Sequence, residues 1–81
     1  VLDLSNNFIE SIETNCFWNS SNLENLNLEH NKIRNLDNFL FSKLLKLNSI
    51  NLTDNQMTNL NKQLSNLKKL KNVYLSSNPL K

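Results

Sequence analysis

The 81-residue chain contains no glycine, and only one proline, one cysteine, one tryptophan and one tyrosine. Each shortage excludes something. A single cysteine cannot close an internal disulfide, so no disulfide framework holds the fold, and the redox compartment stays open. No run of about 18 apolar residues exists, so no segment reads as a membrane span. Val1 opens the chain without a basic-then-apolar leader, so no signal peptide is visible. The net charge of +2 is too small to argue for nucleic acid by itself. The length allows one domain at most, near the size where a single core is marginal. Glycine is the usual residue at positive φ, so its absence restricts how the chain turns. Asparagine also tolerates left-handed turns and occurs eighteen times. Part of that excess is what a genome biased toward Asn and Lys would give.

What is present is a repeat. "LDLSNNFI" (Leu2–Ile9), "LNLEHNKI" (Leu26–Ile33), "INLTDNQM" (Ile50–Met57) and "VYLSSNPL" (Val73–Leu80) superimpose without gaps. Their asparagines, Asn7, Asn31, Asn55 and Asn78, are spaced 24, 24 and 23 residues apart, as are Leu4, Leu28, Leu52 and Leu75. Leu23, Leu47 and Leu70 each lead a copy. Downstream, Ile12, Leu36 and Leu60 align, as do Cys16, Leu40 and Leu64. Phe17 matches Phe41; the third copy has Ser65 there and has lost one residue before Leu67.

This pattern, L-x-x-L-x-L-x-x-N-x-L over the whole chain, resembles the leucine-rich repeat family. The resemblance implies an α/β solenoid. Its concave face would be a short parallel sheet, with irregular, 3-10 or short helical segments on the convex side. The 24-residue period with a late phenylalanine is similar to the class common in extracellular receptors and matrix proteins. Repeats fall at roughly 1–22, 23–46, 47–69 and 70–81, in one solenoid fragment whose first and last units are incomplete and whose caps are absent. In the extracellular members of the family a last repeat often ends in Asn-Pro. The resemblance therefore implies a Cys-x-Cys pair shortly after Lys81 in a parent chain.

Elementary chemistry accounts for the motif. In L-x-L, two apolar side chains point one way and the residue between them the other. One copy cannot bury its apolar face; a stack of copies can. The chain must then turn inside the stack, where backbone groups would go unpaired. Asparagine carries a donor and an acceptor on a short side chain. The column Asn7, Asn31, Asn55, Asn78 is therefore expected to bond the turns of adjacent copies. Cys16 is expected to be a buried small hydrophobe in the Leu40/Leu64 column. Pro79 takes the variable slot of Phe8, Lys32 and Gln56, where a missing N–H is tolerated.

No catalytic constellation emerges. Glu29 and His30 are adjacent, but there is no second histidine, and Cys16 lies half a repeat away. Neither a zinc site nor a Cys–His pair can be assembled from these. The chain is read as a non-enzyme without cofactor or metal. A protein ligand is the expected partner, bound by the outward columns of the sheet: Asp3, Asn27, Asn51, Tyr74; Ser5, Glu29, Thr53, Ser76; and Asn6, His30, Asp54, Ser77. Tyr74 is the best single anchor, being the only aromatic among them, beside a mildly acidic Glu29, His30, Asp54 patch. Phe8, Trp18 and Phe39 are expected to pack at turns or on the convex side.

Residues 1–40 hold six acids and two bases, and residues 41–81 one acid and seven lysines. Lys43, Lys46, Lys62, Lys68, Lys69 and Lys71 fall mostly on the convex or ascending side. Without aromatic interleaving they do not read as a nucleic-acid site. Two N-glycosylation sequons occur, at Asn19 and Asn51. Eighteen Asn and twelve Ser plus Thr give about that number by chance, so they are no evidence for secretion. The resemblance implies a partial ectodomain of a secreted or membrane-anchored protein of receptor, adhesion or innate-immune type, located extracellularly or at the cell surface. The alternative is a cytoplasmic scaffold or regulatory subunit of an enzyme such as a phosphatase.

Overall fold

In the computed structural model, which describes residues 1–60 and 62–80, each copy of the repeat contributes one short strand. These are β1 (Leu2–Asp3), β2 (Asn25–Asn27), β3 (Ser49–Asn51) and β4 (Asn72–Tyr74). They form a single parallel sheet in sequence order. Pairing joins Leu2 to Leu26, Leu26 to Ile50 and Ile50 to Val73, so each strand sits one coil from the next in the register of the repeat.

The alternation within each motif decides what is buried. Leu26, Leu28, Ile50 and Leu52 are almost wholly removed from water, while Asn27 and Asn51 between them face out, half-buried. Ile33, Leu36, Leu40, Phe41, Leu44, Leu47, Met57 and Leu67 complete the core, with Phe17 stacked on Phe41 at 6.0 Å between ring centroids. Burial falls off toward the ends, because the outer coils have a neighbour on one side only. Leu2 and Leu4 are half-buried, and Val73 and Leu80, expected inside, are each 38% exposed.

The asparagine column behaves as the repeat demands. Asn55 Nδ2 donates to Leu28 O of the preceding coil and to Leu52 O of its own, both at 3.0 Å, while its Oδ1 accepts Ile33 N–H at 3.0 Å. Asn31 does the same with Leu4 O, Leu28 O and Ile9 N–H. Asn78 repeats it with Leu52 O, Leu75 O and Met57 N–H. Asn7 is exposed and bonds only its own coil, at Leu4 O and Ser5 O.

Of the irregular, 3-10 or short helical segments expected opposite the sheet, the described residues show chains of i→i+3 turns, such as Leu40 N to Asp37 O and Leu44 N to Phe41 O, and no helix. Five expectations need correction. Residues with positive φ are Asn6, His30, Asp54 and Ser77, each just before a ladder asparagine. Only one of the four is asparagine, so the abundant residue serves mainly the ladder rather than the left-handed turn. Cys16 is exposed, not buried, because it belongs to the first coil, where no side chain covers it from outside.

The third copy's missing residue falls earlier than the alignment placed it. Ser65 Oγ bonds Lys62 O as Ser42 Oγ bonds Phe39 O. The turn of Leu67 N on Leu64 O likewise matches that of Leu44 N on Phe41 O. The deletion therefore lies between Leu60 and Gln63. Gln63 occupies the Leu40 position and Leu64 the phenylalanine position; Gln63 is buried, with Nε2 donating to Leu36 O at 2.9 Å. Phe8 (80% exposed), Phe39 (65%) and Trp18 (48%) pack into nothing deep. Finally, the slot of Pro79 is not indifferent to its N–H. Lys32 N bonds Ile9 O and Gln56 N bonds Ile33 O, both at 2.9 Å, a bond that a proline at the same position cannot repeat.

Candidate functional site

The sheet presents its polar face in columns fixed by register. Asp3, Asn27, Asn51 and Tyr74 lie side by side through direct pairing, at about 4.8 Å per strand. Three of these four have a local task that the sequence reading missed. Asp3 Oδ1 accepts the N–H of Ser5 at 2.9 Å, Asn27 Oδ1 that of Glu29 at 3.0 Å, and Asn51 Oδ1 that of Thr53 at 3.0 Å. Each caps the backbone two residues on as the strand leaves the sheet, an Asx-turn visible in the motif only once the strand end is placed. Ser5 also donates its hydroxyl to Asp3 Oδ1 at 2.6 Å. That bond, then the Ser5 N–H, holds the Asp3 carboxyl below the usual aspartate range.

At the centre the structure brings Asn51, Glu29, His30 and Asp54 together across coils two and three. Asn51 Nδ2 donates to Glu29 Oε2 at 3.3 Å, Glu29 Oε1 lies 3.2 Å from His30 Nε2, and His30 Nδ1 lies 2.6 Å from Asp54 Oδ2. The left-handed backbone at His30 turns its ring along the sheet edge so that both nitrogens face carboxylates. The hydrogen bond to Asp54 raises the His30 pKa above its ordinary value; desolvation opposes it, and the charges of Glu29 and then of Asp54 add to it. All three ionisable side chains keep substantial access to water, so the pair energies are those of a screened surface. Among the described residues no group of three His, Cys, Asp or Glu side chains has the arrangement for a metal ion.

Tyr74 lies beside this cluster on β4, paired in register with Asn51 and 51% exposed. Its side chain makes no hydrogen bond among the described residues. A neighbouring pair absent from the expected site extends the polar face: Ser49 Oγ donates to Asn25 Oδ1 at 2.6 Å. Of the two sequons, Asn19 is exposed, whereas the amide nitrogen of Asn51 is engaged with Glu29. Flanking the sheet, Lys32 Nζ sits 5.3 Å over the Phe8 ring and Arg34 Nε donates to Gln56 Oε1 at 3.1 Å. On the far side Lys46 Nζ reaches Asn22 Oδ1 at 3.0 Å. No helix among the described residues is long and apolar enough to cross a membrane.

Chemically, such a face offers rows of amide and hydroxyl groups, one aromatic and a small charged cluster. It suits an extended contact with another macromolecule. A family model described as leucine rich repeat matches residues 1–33 and 21–80. No curated protein matches the chain.

Proposed function

The chain belongs to the leucine-rich repeat family, a family of protein–protein interaction modules. From that premise we propose that it recognises a protein ligand through its strand face, as part of the ectodomain of a secreted or membrane-anchored protein of receptor, adhesion or innate-immune type. The observation that carries the recognition reading is the in-register polar face. Its side chains are held by capping bonds and by the Asn51–Glu29–His30–Asp54 network, so little rotamer freedom remains to be lost on binding. Tyr74, exposed beside it, is the anchor. The extracellular reading is supported by the 24-residue period with the Phe17–Phe41 stack.

One observation favours a second reading, a cytoplasmic scaffold or regulatory subunit. Cys16 is an exposed, unpaired thiol, a group more at home in a reducing compartment. Expression in a secretory host with glycosidase digestion separates the two. A mobility shift abolished by Asn19→Gln supports the ectodomain; no shift supports the cytoplasmic reading. Recognition itself is tested on a partner captured by the wild-type chain. Tyr74→Ala and Glu29→Lys should each lose it at least tenfold, while Phe39→Ala and Lys68→Ala on the opposite side should retain it. The reverse pattern would place the binding surface elsewhere.

A further inference from the structure

The turns opposite the sheet carry a surface that the strand face does not use. On coil two, which has a coil on each side, Leu40, Phe41, Leu44 and Leu47 point into the core. Phe39, Lys43, Leu45 and Lys46, interleaved with them, face water. Phe39 is 65% exposed and Leu45 60%, so both stand proud of a coil whose own core positions are closed. A single exposed leucine would call for no account. Two large apolar side chains set among lysines in one turn segment do.

Register adds a second row of charge. The matched turns equate Lys62 and Ser65 of coil three with Phe39 and Ser42 of coil two, and Leu67 with Leu44. The turn of Leu70 N on Leu67 O likewise matches that of Leu47 N on Leu44 O. Lys62 therefore falls beside Phe39, Lys68 beside Leu45 and Lys69 beside Lys46. Neighbours in this register do meet, since Lys46 Nζ bonds Asn22 Oδ1 of the preceding coil at 3.0 Å. All five lysines of the patch are exposed, and among the described residues none pairs with a carboxylate. After Asp37 the only acid is Asp54, which is engaged with His30 on the strand face. Asp37 opens the segment with one carboxylate oxygen on the Phe39 N–H, at 2.8 Å.

We propose that this face binds an anionic lipid surface. Phe39 and Leu45 enter the headgroup boundary, and Lys43, Lys46, Lys62, Lys68 and Lys69 lie against the acidic headgroups. Two features favour lipid over an acidic protein. Every base in the patch is lysine, the cation depleted from protein interfaces, whereas arginine is enriched there and forks onto carboxylates. The chain's one arginine, Arg34, lies outside the patch, bonded to Gln56 Oε1. Apolar and basic side chains also alternate along coil two, the mixture that lies stably in a headgroup layer. The strand face stays free for a protein ligand, so the two contacts do not compete.

The test is flotation of the 81-residue chain with vesicles of phosphatidylcholine alone and with vesicles containing phosphatidylserine. Phe39→Ser with Leu45→Ser removes the apolar part and keeps the charge. Lys43→Gln with Lys68→Gln removes two charges from the patch, and Lys32→Gln with Arg34→Gln removes two from elsewhere. All six side chains are exposed, and circular dichroism checks that each variant is folded. The wild type should float with the phosphatidylserine vesicles and not with the neutral ones, and salt should weaken it. The apolar pair and the patch-lysine pair should each lose about tenfold or more in affinity, and the control pair less than about threefold. A wild type that ignores the anionic vesicles overturns the proposal, and binding to polyglutamate in their place would make the partner an acidic chain. Equal losses in the two charge pairs would overturn it too, since net charge and not this face would be the cause. So would an apolar pair that binds like the wild type.

Discussion

At the residue scale, the same side chain has different weight according to how many coils it ties. Asn55 is buried and bonds two coils, whereas Asn7 is exposed and bonds one. Asn55→Ala should cost about 1–3 kcal/mol in urea denaturation by stranding Ile33 N–H and removing one of the two amide donors to each of Leu28 O and Leu52 O, and Asn7→Ala below about 1 kcal/mol. Equal losses would mean that the ladder does not act between coils. His30 adds a pH dependence of known sign. Its pKa is raised in the folded state, chiefly by the bond to Asp54. The protonated ring therefore favours folding below the ordinary value of 6.5, and that contribution fades as pH rises through the folded pKa. Histidine ring NMR should show a titration midpoint above 6.5 that falls in Asp54→Asn. A midpoint unmoved by the substitution would remove Asp54 as the cause.

At the scale of the element, the third coil shows what a one-residue deletion does. Gln63 moves into the Leu40 column and, being polar, must bond there, which it does at Leu36 O. Gln63→Ala should destabilise by about 1–3 kcal/mol, and the adjacent exposed Lys62→Ala by no more than about 0.5 kcal/mol. The alignment's register, with Leu64 under Leu40, predicts little effect at position 63. Strands, ladder and core columns were legible in the sequence because burial repeats at one fixed spacing, and a leucine or asparagine out of place would be obvious. The deletion was not, since polar Gln63 gives no apolar signal and a leucine stands next to it. The capping roles of Asp3, Asn27 and Asn51 were hidden for a related reason. Alternation says only that a side chain points outward, not that its oxygen bends back to an N–H two residues on. The exposure of Cys16, Val73 and Leu80 reflects position in the stack, which a column in an alignment does not carry.

On the scale of the whole molecule, stability in a stack is the sum of each coil and its junctions, so the middle should outlast the ends. Coils two and three hold the fully buried side chains apart from Phe17, which stacks on Phe41 from the first coil. The Glu29, His30, Asn51 and Asp54 cluster of the face proposed for recognition rests on the same two coils, the firmest part of the fold, while the proposed anchor Tyr74 stands on the outer one. The central claim is that one asparagine per coil joins neighbours into a single solenoid. Amide hydrogen exchange by NMR tests it most directly. In the wild type, Leu28, Ile33, Leu52 and Met57 N–H should be strongly protected, with protection falling toward both ends. In Asn55→Ala, Ile33 N–H should lose protection far more than Met57 N–H, which relies on Asn78. Uniform loss across all four amides, or none at Ile33, would contradict the ladder.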